Sequence, residues 1–120
     1  MLGSRTMKTL SMSELHSVVE RLKAERLQRT SSSGELVLDV RTPGEFASGH
    51  VPGAMNIPVD SIMGKASSLK DFETVYIYCR SGGRAAMAVQ ILESMGLRNL
   101  MCVDCGGMPD WDAAGYPSEK

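Results

Sequence analysis

The sequence contains no apolar run approaching the roughly 20 residues needed to span a bilayer, and its opening ten residues lack the apolar segment of a secretory signal. A soluble, cytoplasmic protein without a membrane partner is therefore expected. An excess of one charge is also missing: 13 basic residues face 14 acidic ones, for a formal net charge of -1. No global field then favours nucleic acid, and any anion site must be local. Cysteine is scarce, with three in 120 residues. An odd, small number in a chain long enough to pack its own core does not resemble the paired framework of a small secreted domain, so free thiols are expected. Cys102 and Cys105 have CxxC spacing, yet only two histidines and one further cysteine could complete a metal site, so no structural metal is expected. Internal repeats are absent, and the low-complexity patch "TSSSG" at 30–34 reads as a loop.

What is present is an ordinary globular balance, 42% hydrophobic and 22% charged, in a length that suits one compact domain. Ser11 and Glu14 form a capping box, and Leu15, Val18, Val19 and Leu22 recur at helical spacing, which predicts a first helix from about Met12 to Gln28. Glu20, Arg21, Glu25 and Arg29 form its solvated face. "ELVLDV" at 35–40 and "TVYIYC" at 74–79 are short apolar runs with β-branched residues that predict buried strands, and "LMCV" at 100–103 predicts another. "GHVPGAMNIP" at 49–58 reads as two turns around a brief strand near Met55–Ile57, with a short helix expected over Asp60–Leu69. Beyond Cys79, the loop "RSGGR" leads into Ala85, Ala88, Val89 and Leu92 at helical spacing, with Gly96 after the helix end. A short terminal helix is expected around Asp110–Ala114. The alternation argues for a parallel α/β sheet with helices on both faces.

In such sheets, sites form beyond the carboxyl ends of strands, where loops enter helix N-termini. Cys79 occupies that position. Amides of a tight glycine-containing loop can turn inward as a nest, the following helix adds partial positive charge, and Arg80 and Arg84 add two cations. Each effect favours a thiolate over a thiol. Gly82 and Gly83 can take positive φ and let amides approach an anion. The plain alternative, a small buried thiol at a strand end, needs no electropositive loop.

Three ordered stretches resemble the rhodanese family of sulfurtransferases. "LDVRTPGEFASGHVPGAMNIP", Leu38 to Pro58, is similar to the family's D-V-R, E-F, G-H-I-P-G-A and N-I-P signature, with Val51 in place of the usual Ile. "YCRSGGRAAMAVQIL" resembles its six-residue active-site loop, Cys79 to Arg84, and the helix behind it. "CGGMPDW" at Cys105–Trp111 is similar to its closing element. The resemblance implies a single α/β domain over residues 1–120, with its core at about 7–116. It implies a five-stranded, largely parallel sheet with helices on both faces and a short first strand near Met7–Leu10. It also implies a mechanism: Cys79 takes the outer sulfur of a donor such as thiosulfate, carries it as a persulfide, and yields it to cyanide, a small thiol or a protein thiol, with no cofactor. Arg80, Ser81, Gly82, Gly83 and Arg84 would form the cradle, with Arg80 or Arg84 orienting the donor.

Asp39, Arg41, Glu45 and His50 invite a catalytic-triad reading, but the resemblance implies that their counterparts mostly pin the loop between the second and third strands. His50 then serves as a turn-fixing donor, His16 lies at the surface or boundary of the first helix, and Trp111 is a packing anchor near the site's rim. Phosphatases and arsenate reductases of the same fold need an arginine six positions beyond cysteine, where this chain has Ala85. A noncatalytic binding module is a further alternative, and in such modules the cysteine is usually replaced. Cys105 precedes the Gly-Gly pair where the family commonly has an apolar or acidic residue, and it is a candidate to resolve a persulfide on Cys79 or to form a reversible disulfide with it. A Cys102–Cys105 disulfide is not expected, because a regular strand would point the two side chains to opposite faces.

Overall fold

The computed structural model describes residues 7–27, 34–104 and 106–120. Its strands are β1 (Thr9–Leu10), β2 (Glu35–Asp39), β3 (Met55–Asn56), β4 (Thr74–Tyr78) and β5 (Leu100–Val103). Its α-helices are α1 (Met12–Leu27), α2 (Pro43–Ser48), α3 (Ala66–Leu69), α4 (Gly83–Ser94) and α5 (Met108–Ala113), and a 3-10 helix spans Val59–Lys65. The five strands form one sheet in the order β1-β5-β4-β2-β3, and every pairing is parallel.

The period of two along each strand divides the core. Leu36, Leu38, Val75, Ile77, Leu100 and Cys102 face one layer, which α4, α3 and the 3-10 helix cover. Val37, Tyr76, Tyr78 and Val103 face the other, beneath α1 and α5. Ile77 and Leu38 have no exposed surface. Truncating either to alanine should cost about 2–5 kcal/mol, because a close-packed core collapses only partly around a lost side chain. α1 begins at its Ser11–Glu14 box, where the Ser11 amide donates to the Glu14 carboxylate and the Glu14 amide to the Ser11 hydroxyl. Its arginine at 21 does more than face solvent: the guanidinium donates twice to the Glu35 carboxylate, at 2.6 and 2.7 Å, and ties α1 to β2.

Several boundaries differ from expectation. The segment expected as one helix over 60–69 is mostly 3-10, becoming α-helical only at Ala66. α2 was not anticipated, although its capping box, Thr42 with Glu45, and Pro43 in its first turn are an N-terminal signature. α4 starts at Gly83 rather than Ala85, and α5 at Met108 rather than about Asp110, the latter with a proline in its first turn.

Candidate active site

From β2 the chain runs through α2 to β3 at one side of the sheet, whereas from β4 it runs through α4 to β5 at the other. β2 and β4 are neighbours, with Asp39 in register with Tyr78, so their carboxyl ends border the crevice where strand order reverses. Cys79 is the first residue past β4 and is buried.

Its sulfur is met by backbone. The amide of Gly82 donates to Sγ at 3.1 Å, and that of Ala85 at 3.3 Å. Gly82 holds φ at +100° as it caps α4, a left-handed conformation that glycine adopts without Cβ strain. Gly83 needs no positive φ and is already helical, which corrects the expectation that both glycines would turn. Ala85 lies outside the cradle expected at 80–84, yet supplies one of its donors. Two N–H donors therefore converge on this sulfur at the N-terminus of a twelve-residue helix.

The two loop arginines play unequal parts. Arg84 donates to both oxygens of Glu45 on α2, at 2.6 and 3.0 Å. This hydrogen-bonded guanidinium, offset by some burial, draws the Glu45 carboxyl down from its ordinary 4.5 to about 2. Arg84 therefore holds the loop to α2. Arg80 is exposed and has no ion pair among the described residues. Glu45 thus does more than the pinning expected of it, because besides capping α2 through Thr42 it grips the loop that follows Cys79.

Asp39, Arg41 and His50 do pin the β2–β3 connection. Asp39 is fully buried and paired with Arg41 at 2.7 Å, and the same guanidinium nitrogen donates to the Gly49 carbonyl at 2.7 Å. The Tyr78 hydroxyl donates to Asp39 at 2.7 Å and accepts the Val51 amide at 3.0 Å, and burial raises its pKa. His50 stacks on Phe46 and turns Nδ1 to the Phe46 carbonyl at 2.9 Å, so that nitrogen carries the proton. No member of this group is hydrogen-bonded to Sγ. His16 is half-buried and stacks on Tyr116, while Trp111 is fully buried and donates from Nε1 to the Pro117 carbonyl at 2.8 Å. Cys102 is free, buried in the layer under α4, and raised to about 11 by burial, with negative charge at Cys79 contributing. Cys105 lies outside the described residues, as does its suggested resolving role. Ser81 sits exposed at the loop's turn.

The rhodanese-like domain family matches residues 20–114. A sulfurtransferase of Allochromatium vinosum is 32% identical over 102 residues, covering 83% of this chain and 94% of that protein. The thiosulfate sulfurtransferase PspE of Escherichia coli is 35% identical over 75 residues, covering 61% of this chain and 70% of PspE. Other curated relatives are longer: the chain spans 54% of one from Bacillus subtilis and 43% of one from Mycobacterium tuberculosis. Among solved structures, SSP1007 of Staphylococcus saprophyticus matches with a TM-score of 0.66 at 34% identity, over 95% of this chain and all of that one. With the matched segment running from α1 through α5 and including the whole cysteine loop, the chain belongs to the rhodanese-like domain family.

Proposed function

We propose that this chain, acting as one rhodanese domain over residues 1–120, is a sulfurtransferase with Cys79 as its nucleophile. The observation that carries the reading is the pair of N–H donors, Gly82 and Ala85, directed at Sγ. The Cys79 thiolate attacks the outer sulfur of thiosulfate, the S–S bond breaks, and sulfite leaves with the electron pair. The product is a Cys79 persulfide whose terminal sulfur carries the negative charge. Cyanide or an acceptor thiolate then attacks that sulfur, and Cys79 departs as a thiolate, so the cycle closes without net redox change or cofactor. Loop amides stabilise the charged terminal sulfur, and Arg80, rather than the engaged Arg84, orients the dianionic donor. The sulfurtransferase relatives support this chemistry. Thiosulfate as donor, and cyanide, a small thiol or a protein thiol as acceptor, are our own assignment. Among the described residues no helix is long and apolar enough to cross a membrane, and we propose the cytoplasm, with its free thiols, as the setting.

Phosphoryl transfer is disfavoured by one observation. The position where a phosphatase loop needs a guanidinium is Ala85, fully buried and contributing only its amide. The test is intact-mass analysis after thiosulfate treatment. One added sulfur, mapped to the peptide containing Cys79 and lost in Cys79→Ser, is expected, together with thiocyanate release on adding cyanide. Undiminished turnover in Cys79→Ser would sink the mechanism. Phosphate-ester hydrolysis in its place would promote the rival, and no sulfur uptake from any donor would leave a binding module.

A further inference from the structure

The turn between β5 and α5 touches the catalytic loop at Gly107, and there glycine is required by space alone. Its φ of 179° is extended backbone open to any residue. A Cβ at this position would lie 2.5 Å from the carbonyl carbon of Arg80 and closer still to the carbonyl oxygens of Cys79 and Arg80. Both are main-chain atoms and cannot rotate aside. The neighbouring Met108 amide donates to the Cys79 carbonyl at 3.0 Å, so the contact is attractive as well as close. The turn is itself fastened from behind. The Gly107 amide donates to the Asp110 carboxylate at 2.8 Å, and the Gly107 carbonyl accepts from the Asp110 amide at 2.9 Å.

We propose that Gly107 is a positioning residue for sulfur transfer, the seat against which the Cys79–Arg80 peptide is pressed so that the amides beyond it bear on Sγ. The inference rests on the function proposed above. The loop is then held at both ends, by Gly107 and Met108 where it leaves β4, and by Glu45 where Arg84 enters α4. Any side chain at 107 must displace the Cys79–Arg80 peptide by more than about 1 Å to reach ordinary contact distance. A displacement of that size at a reacting centre can cost on the order of 100-fold in rate.

The test compares the full chain with Gly107→Ala, Asp110→Ala and the control Gly64→Ala, whose added Cβ would meet no atom within 4 Å. Iodoacetamide alkylation of Cys79 is followed by peptide mass across pH, thiosulfate loading by intact mass, and folding by fluorescence of Trp111, the chain's one tryptophan. Gly107→Ala should slow alkylation and loading by about 10–100-fold and move the pH profile of alkylation toward alkaline pH, while the tryptophan stays buried. Asp110→Ala should shift the profile the same way with about a fivefold loss, as expected for one hydrogen bond. Gly64→Ala should change neither. A folded Gly107→Ala with unchanged rates overturns the proposal, as does a loss equal at every pH with the profile unmoved. If Gly107→Ala does not fold, Asp110→Ala decides, and an unmoved profile there overturns it. A wild-type chain that takes up no sulfur would sink the sulfurtransferase reading, while the alkylation profiles would still decide the role of Gly107.

Discussion

Cys79, just past β4, and Cys102, within the neighbouring β5, occupy the same apolar layer, each 1% exposed, and their sulfurs meet opposite chemistry. Cys102 lies inside β5, in register with Ile77, where the ladder uses the backbone amides. Its thiol donates to the Val103 carbonyl at 3.7 Å, an acceptor that suits a protonated thiol. Cys79 stands one residue beyond its strand, where the amides of the following turn are free of the ladder and two of them point at sulfur. Burial is the same in both, so burial does not set the two thiols apart. Release of backbone donors at the strand end does.

Cutting the clamp behind Cys79 should break this contrast most. Glu45→Gln, or Arg84→Lys, which cannot form the planar fork, should lower the rate of sulfur loading by about tenfold, measured by quenched-flow mass analysis. Loading at the wild-type rate would show that the loop amides hold their aim without α2. The second effect concerns charge rather than shape. Arg80→Ala should raise half-saturating thiosulfate by about tenfold at low ionic strength and leave the saturated rate within about twofold. An equal loss with an uncharged organic trisulfide as donor would remove Arg80 from donor recognition.

Smaller effects appear in the pH dependence of stability. Glu45 is lowered in the folded chain to about 2, so its contribution is complete above its ordinary 4.5 and is lost as pH falls from there toward 2. Glu45→Gln should flatten the denaturant midpoint over that window. Cys102 is raised from its ordinary 9.0 to about 11, so its contribution is complete below 9.0 and fades as pH rises through 11. Cys102→Ala should flatten the alkaline side relative to wild type, cost about 1 kcal/mol at neutral pH, and leave sulfur loading intact. Lost loading in that variant would join the two thiols in one mechanism.

The elements nearest Cys79 were the most legible, for a local reason. "TVYIYC" carries the strand in its β-branched alternation, and the glycines mark the turn whose positive φ falls on Gly82. The resemblance supplied β1, which at two residues has no pattern of its own. α2 was legible and missed, since Thr42, Pro43 and Glu45 spell its start. The Arg84–Glu45 fork joins residues 39 apart, and no local spacing announces such a pair. The Ala85 donor is equally silent, because a backbone amide is common to every residue but proline. Gly107 can be read as a turn glycine from sequence. That its missing Cβ makes room for the loop's carbonyls emerges only when β5 is laid beside β4.

The sheet's two borders, β1 and β3, are each only two residues long. Such stubs offer an incoming chain too few free rungs to lengthen the ladder, so partnership by strand addition is disfavoured at either flank. A protein acceptor of sulfur would then have to present its thiol head-on to the strand ends, and its selection would rest on the loops around Cys79 rather than on the sheet behind them.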